Sequence, residues 1–383
     1  MTDAHAFGAQ RLPDWRRAVL KVGSSLLAVA DGGLSDTHAA GLARFVSDSR
    51  KQGREVVIVS SGAVAAGRGV LKTEAAGLTQ RQALAALGQA PMIALWQSLS
   101  DVPVAQVLLS HDDVRNRRRY LNARATLREL LRLGVLPVIN ENDTVAVDEL
   151  KLGDNDNLAA VAATLVDADL LLIATDIAGL YDDHPVRNPR ALPVPRIMAI
   201  TPAVLRMAQG DAGAQGTGGM RTKLEAASKA AAAGICTALF CGRDAATVQG
   251  LSQGILHGSF VEAHGDRLLA RKQWLRNAPA GLHGLRVDAG AARALVERGA
   301  SLLPGGVVAV EGEFGRGDLI ELRLAGATNA HVLARGLAQY GSADMQRIAG
   351  RHSRDIEGIL GYRYGEAVIH RDDLVVLPQE SAS

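Results

Sequence analysis

One pattern restricts the fold of this chain more than any other: short runs of consecutive apolar, often β-branched residues, each stopping at small polar residues or glycine. Five such runs occupy 18–22 (AVLKV), Glu55–Ser60 (EVVIVS), Val104–Leu109, 135–140 and 169–175. Apolar side chains on successive rather than alternate positions suit strands covered on both faces. Between them, helical periodicity predicts helices over 37–51, 120–133 and 158–166. Strands alternating with helices imply an α/β fold: an open, mostly parallel sheet sandwiched by helices and joined by right-handed crossovers. Sheets of this kind bind ligands beyond the carboxyl ends of their strands. There this sequence gathers its polar residues.

The chain has 383 residues, room for two or three domains at roughly 150 residues each. Composition changes around 275–282 (LRNAPAGL), and beyond it short strands and glycine pairs, as in 301–310 (SLLPGGVVAV), predict a smaller, mainly-β module. The domains are expected at 1–275 and 281–376. A hydrophobic content of 48% with 21% charged residues excludes wholesale disorder. With aromatic residues at 3%, the core falls to Ala, Val, Leu and Ile. A net charge of +2 supplies no global field to recruit nucleic acid or a membrane. No apolar stretch approaches the ~18 residues of a membrane span. The first seventeen residues carry Asp3, Arg11, Asp14, Arg16 and Arg17 without an apolar core, so no signal peptide is expected. A cytoplasmic protein follows. Cys236 and Cys241 are too few for a disulfide framework or a zinc site and are expected as buried, reduced thiols. The residues before Trp15 are expected to be disordered.

Four constellations could carry chemistry. Lys21-Val22-Gly23-Ser24-Ser25 follows the first strand, and a lysine beside a Gly-containing turn can meet phosphate oxygens; a solvated lysine before an ordinary turn fits equally. The spacing is not that of a Walker A loop. Ser60-Ser61-Gly62-Ala63 can bind a carboxylate at a strand-to-helix junction or simply cap the helix. Asn140-Glu141-Asn142-Asp143 and Gly153-Asp154-Asn155-Asp156-Asn157 mix carboxylates with carboxamides, which suits a zwitterion but also a turn-rich loop; the pattern of a calcium loop is not met. Thr217-Gly218-Gly219-Met220-Arg221-Thr222-Lys223 runs into an alanine-rich helix over 224–233. Its glycines permit close backbone approach, and Lys223 in the first turn opposes the helix dipole, which an anionic ligand would explain. Thr175-Asp176 ends the fifth run and alone reads as a routine cap.

Taken together, the Lys21 turn, VIVSSGAVAAGR, INENDTVAVDELKLGDNDN, LLIATDIAGLY and GTGGMRTK resemble, in this order, the amino-acid kinase family. Within it they resemble the branch that phosphorylates the γ-carboxylate of L-glutamate with ATP to give L-glutamyl 5-phosphate, opening proline biosynthesis. Ser301-Leu302-Leu303-Pro304-Gly305-Gly306, Arg347-Ile348-Ala349-Gly350 and Ile359-Leu360-Gly361-Tyr362 resemble the PUA domain that such kinases carry. The resemblance spans about residues 15–376. It implies that Lys21 and Lys223 contact the migrating phosphoryl group and that Asp156 holds both lysines. Ser61, Asp143 and Asn155 would bind glutamate, with Asn140 and Asp154 shaping the pocket. Lys21, Thr175, Asp176, Thr217, Gly218, Gly219, Met220, Arg221, Thr222 and Lys223 would line the ATP site. Mg²⁺ would ride on the nucleotide phosphates, with no protein ligand implied for it. The family also implies a homo-oligomer, dimer or tetramer, and feedback inhibition by proline. The chemistry agrees: a carboxylate is already a nucleophile at neutral pH, so alignment and charge neutralisation are what the protein must supply.

PUA domains often bind RNA. From Asn277 onward, however, the chain has eleven Arg, no Lys and thirteen Asp and Glu, a net charge of −2. Binding through phosphate contacts needs a basic surface, so an RNA partner is not expected.

Overall fold

All five apolar runs become strands of one sheet. The computed structural model of the protein describes residues 6–73, 75, 77–146, 155–208, 219–263, 275, 283–326 and 332–377. These divide into two units, Met1–Gly265 and Asp266–Ser383.

In chain order the first unit contains β1 (Gln10–Arg11), β2 (Arg17–Val22), a 3₁₀ turn (Ser24–Leu26), α1 (Ala39–Lys51), β3 (Glu55–Ser60), α2 (Ala63–Leu71), α3 (Leu78–Leu99) and β4 (Val104–Leu109). Then come α4 (His111–Arg115), α5 (Arg117–Arg132), β5 (Leu136–Glu141), α6 (Asn155–Leu165), β6 (Leu170–Thr175), β7 (Arg196–Ile197), α7 (Pro202–Met207), α8 (Met220–Ala232), β8 (Cys236–Cys241), α9 (Ala245–Ser252), β9 (Ile255–Leu256) and β10 (Gly258–Val261). Among the described residues eight strands form the sheet, in the order β4-β5-β3-β2-β6-β8-β10-β7. The first six are parallel; β10 runs antiparallel to β8 and carries β7 beside it.

Alternate residues of each strand feed two separate cores. Ala18, Leu20, Val22, Val56, Ile58, Leu170, Leu172 and Ala174 join Trp15, Phe45 and Trp96 on one face. Val19, Val57, Val59, Leu171 and Ile173 join Leu158, Ala159, Leu224 and Ala227 on the other. Burial on both faces explains the unbroken apolar runs. The alanine-rich α6 and α8 share this second core, where small side chains let helix and sheet approach closely.

Several element ends differ from the periodicity, for one physical reason. α5 begins at Arg117 because the Asn116 side chain accepts hydrogen bonds from the Arg118 and Arg119 N–H groups, a polar start that an apolar pattern misses. α6 likewise begins at the polar pair Asn155-Asp156, and β5 runs one residue further to Glu141. The expectation of disorder before Trp15 fails for residues 6–14. Gln10 and Arg11 pair with Leu256 and Ile255, Gln10 Nε2 donates to the Gly258 carbonyl at 2.7 Å, and Phe7 is buried edge-on against Tyr181. A terminal segment stays ordered when it is tied down in this way. Cys236 and Cys241 are free thiols, half-buried rather than buried.

The second unit contains β11 (Gly284–Val287), α10 (Ala289–Arg298), β12 (Val307–Glu311), β13 (Leu319–Leu324), β14 (Val332–Leu337), α11 (Ser342–Ile348), α12 (Ile356–Leu360) and β15 (Leu374–Val376). Its five strands are ordered β12-β11-β13-β14-β15, antiparallel except for the parallel pair β11 and β13. They enclose a core of Leu285, Ile320, Leu322, Tyr340, Met345 and Ile356. Leu275 packs with Leu337 and Val375 of this unit.

Candidate active site

Strand parity determines which side chains meet. Lys21 lies two residues from Val19 on β2 and so projects into the face covered by α6 and α8. There its Nζ lies 2.5 Å from Asp156 Oδ1. Lys223, on the first turn of α8, places its Nζ 3.2 Å from Asp156 Oδ2. Thr222 Oγ1 lies 2.9 Å from the same oxygen and 2.8 Å from the Gly219 carbonyl. Lys21, Asp156 and Lys223 are 5%, 0% and 6% exposed.

Burial pushes the Asp156 carboxyl up. The charges of Lys21 and Lys223, with hydrogen bonds from Lys21 and Thr222, outweigh that effect and hold it at about 2. Its place in the first turn of α6 adds the favourable end of the helix dipole. Within the chain, then, it is Asp156 that answers the misplaced charge of Lys223. Two ammonium groups meet one carboxylate in a place shielded from water. Such a site attracts an anion and stabilises negative charge that develops there.

A second polar group meets one residue earlier on α6. Asn155 Nδ2 lies 2.8 Å from Ser61 Oγ, 3.0 Å from Asn140 Oδ1 and 3.2 Å from the Ser60 carbonyl. Ser61 follows β3, and Gly62 turns the chain into α2 with φ +105°, a left-handed geometry that favours glycine. Behind this turn the fully buried Trp96 of α3 donates Nε1 to Ser60 Oγ at 2.8 Å, and that hydroxyl donates to the Ser61 carbonyl at 3.1 Å. Asn140 is buried near the end of β5; Asp143 is half-buried two residues beyond it. The two groups are thus joined by the single peptide bond between Asn155 and Asp156.

On the far side of β2, Thr175 is buried at the end of β6 and donates its hydroxyl to Asp176 Oδ1 at 3.1 Å, while Asp176 is exposed. Gly219 precedes α8. Met220 is buried in the second core, and exposed Arg221 pairs with Glu225 at 3.0 Å on its own helix. Asp154, Thr217 and Gly218 lie outside the described residues. Trp96 was not foreseen. An isolated tryptophan in a long apolar helix reads as core, and its indole N–H is the one signal that a buried polar partner must exist.

A family model described as the amino acid kinase family matches residues 16–241, and a PUA domain model matches residues 283–360. The chain belongs to the amino acid kinase family, with a PUA domain following the kinase portion. Over 362 residues, 94% of this chain and 100% of the relative, it is 63% identical to a glutamate 5-kinase of Xanthomonas campestris pv. campestris (strain 8004). It is 60% identical over 375 residues to a glutamate 5-kinase of Xylella fastidiosa (strain 9a5c), covering 97% of this chain and 98% of that one. This similarity puts the chain in the glutamate 5-kinase branch of the family.

Proposed function

We propose that the chain transfers the γ-phosphoryl group of ATP to the γ-carboxylate of L-glutamate, giving L-glutamyl 5-phosphate and ADP in the synthesis of proline. The observation that supports this most directly is the buried Lys21–Asp156–Lys223 group, one residue along α6 from the hydrogen-bonded group of Asn155, Ser61 and Asn140. A glutamate carboxylate oxygen attacks the γ-phosphorus in line as the bond to the β,γ-bridging oxygen breaks. Lys21 and Lys223 stabilise the charge spread over the transferred group, and Asp156 holds their ammonium groups at fixed positions. No general base is required, because the nucleophile is already ionised.

Ser61, Asn155 and Asn140 serve as the glutamate pocket, with Asp143 and Asp154 offering carboxylates to the substrate ammonium. Thr175, Asp176 and the segment 217–223 serve as the nucleotide side. Both Asp156 oxygens are engaged by ammonium and hydroxyl groups, which makes this carboxylate a poor metal ligand. Mg²⁺ therefore arrives on the nucleotide as part of the co-substrate, where it supplies further neutralisation of phosphate charge. Proline, which shares the α-carboxylate and ammonium of glutamate, inhibits by competing in the same pocket. A homodimer or homotetramer is the assembly we infer from the family, in the cytoplasm and without an RNA partner. No described helix is long and apolar enough to cross a membrane.

The test uses hydroxylamine, which traps acyl phosphates. Incubation with Mg-ATP and glutamate should yield the γ-hydroxamate, and its absence at saturating substrate would overturn the reading. Aspartate and N-acetylglutamate in place of glutamate should yield far less product.

A further inference from the structure

We propose that Arg243 is a nucleotide-side positioning residue, tying the turn that follows Lys21 to the turn after β8 and adding a third cation to the path of the ATP phosphates. The proposal rests on the phosphotransfer reading above.

β8 lies parallel to β6, with Cys241 opposite Thr175, so the turn after β8 leaves the sheet at the same edge as Thr175-Asp176. It is fastened there twice. Gly242 N–H donates to the Thr175 carbonyl at 2.8 Å, and the Cys241 thiol donates to the Asp176 carbonyl at 3.6 Å. The approach is so close that a Cβ on Gly242 would stand 2.6 Å from Leu26 Cδ1 and 3.1 Å from Ala174 Cβ. Leu26 belongs to the 3₁₀ turn that follows Lys21-Val22-Gly23. From this anchored position Arg243 Nη2 donates to the Ser25 carbonyl at 3.1 Å, joining residues 218 positions apart.

The partner of that bond is informative. Arg124, Arg128, Arg196 and Arg335 meet carboxylates, whereas this guanidinium bonds to a neutral carbonyl and keeps its full charge. The adjacent Asp244 is occupied in capping α9, with Oδ1 accepting from Ala246 N–H and Oδ2 from the Thr247 hydroxyl. Arg243 is exposed, and a guanidinium has five donor hydrogens. One holds the turn; the outward donors and the undiminished charge face the edge where an anionic nucleotide would lie.

The experiment compares Arg243→Ala, Arg243→Gln and Arg243→Lys in the full chain by steady-state kinetics at several salt concentrations. Arg243→Ala should raise the KM for Mg-ATP about tenfold, the loss of one charge-assisted hydrogen bond. The KM for glutamate should stay within about twofold. Arg243→Lys should recover most of the loss and Arg243→Gln little, and the salt dependence of the Mg-ATP KM should flatten in the Ala and Gln variants but not in Lys. A purely structural role would raise both KM values together and would not depend on salt; that result overturns the proposal, as does an unchanged Mg-ATP KM. If the parent chain phosphorylates no glutamate, the phosphotransfer reading fails separately. Direct titration with a fluorescent Mg-ATP analogue then decides: weaker binding by Arg243→Ala supports the proposal, and equal binding overturns it.

Discussion

In the first unit two lysines converge on Asp156 with all three side chains out of water. In the second, Arg286, Glu311, Arg323, Glu321 and Arg335 follow one another across β11, β12, β13 and β14, linked at 2.6, 3.2, 2.5 and 2.9 Å. Both are chains of alternating charge, yet solvent treats them differently. The ladder side chains retain 10% to 33% exposure, and although Glu321 at its centre is buried, water screens the charges around it and shares the load. The buried group has no such relief, and its attraction must overcome a large desolvation cost. A fold that kept such an arrangement for stability alone would do as well with apolar residues; a buried pair of lysines is understandable where an anion must be received.

The largest break in this comparison should come from Asp156→Ala, which leaves two ammonium groups buried without their counter-charge. We expect the first unit to lose about 3–5 kcal/mol in denaturant unfolding, together with all measurable phosphorylation. A loss below about 1 kcal/mol would put the buried group on a level with the surface ladder. Next, Lys223→Ala leaves Asp156 paired with Lys21 and should preserve the fold while lowering kcat about a hundredfold or more. A near-normal kcat removes Lys223 from the chemistry.

Acid sharpens the same contrast. The folded-state pKa of Asp156 is depressed to about 2 from an ordinary value of 3.8. Its stabilisation is therefore complete above pH ~4 and disappears as pH falls toward 2. Unfolding of the first unit followed across that window should show a loss of about 2 kcal/mol that Asp156→Asn abolishes. A variant as acid-sensitive as the parent would refute the assignment. The smallest effect belongs to the outer acid of the ladder: Glu311→Gln, whose side chain is 30% exposed, should cost less than about 1 kcal/mol, shrink further in salt, and leave the kinetics of phosphorylation unchanged.

Much of the architecture was legible because burial on both faces leaves a direct trace in the chain. Runs such as VVIV and LLLIA have no other economical use, and their parallel order follows from the helices between them. Lys21, Asp156 and Lys223 were legible as motif residues. Their convergence was implied only by the family resemblance and not by the residues themselves, since it depends on the odd-numbered face of β2 meeting the first turns of α6 and α8 across separations of 135 and 67 residues. The ordered arm at residues 6–14 escaped notice for a related reason: its short mixed sequence, AFGAQRLPD, gives no periodic signal, and its partners lie near residues 181 and 255–258. Trp96 and Arg243 were invisible as polar contributors because their partners, the Ser60 hydroxyl and the Ser25 carbonyl, come from elsewhere in the chain.

Read alone, the order of amino acids settles the class of fold and marks out the motifs proposed to hold a nucleotide and an amino acid, because periodicity and turn chemistry are local properties. Packing settles the rest. Which lysine faces which carboxylate, and which arginine reaches across to the turn after β2, depends on strand parity and helix placement, and on the exclusion of water that only the assembled sheet and helices bring about.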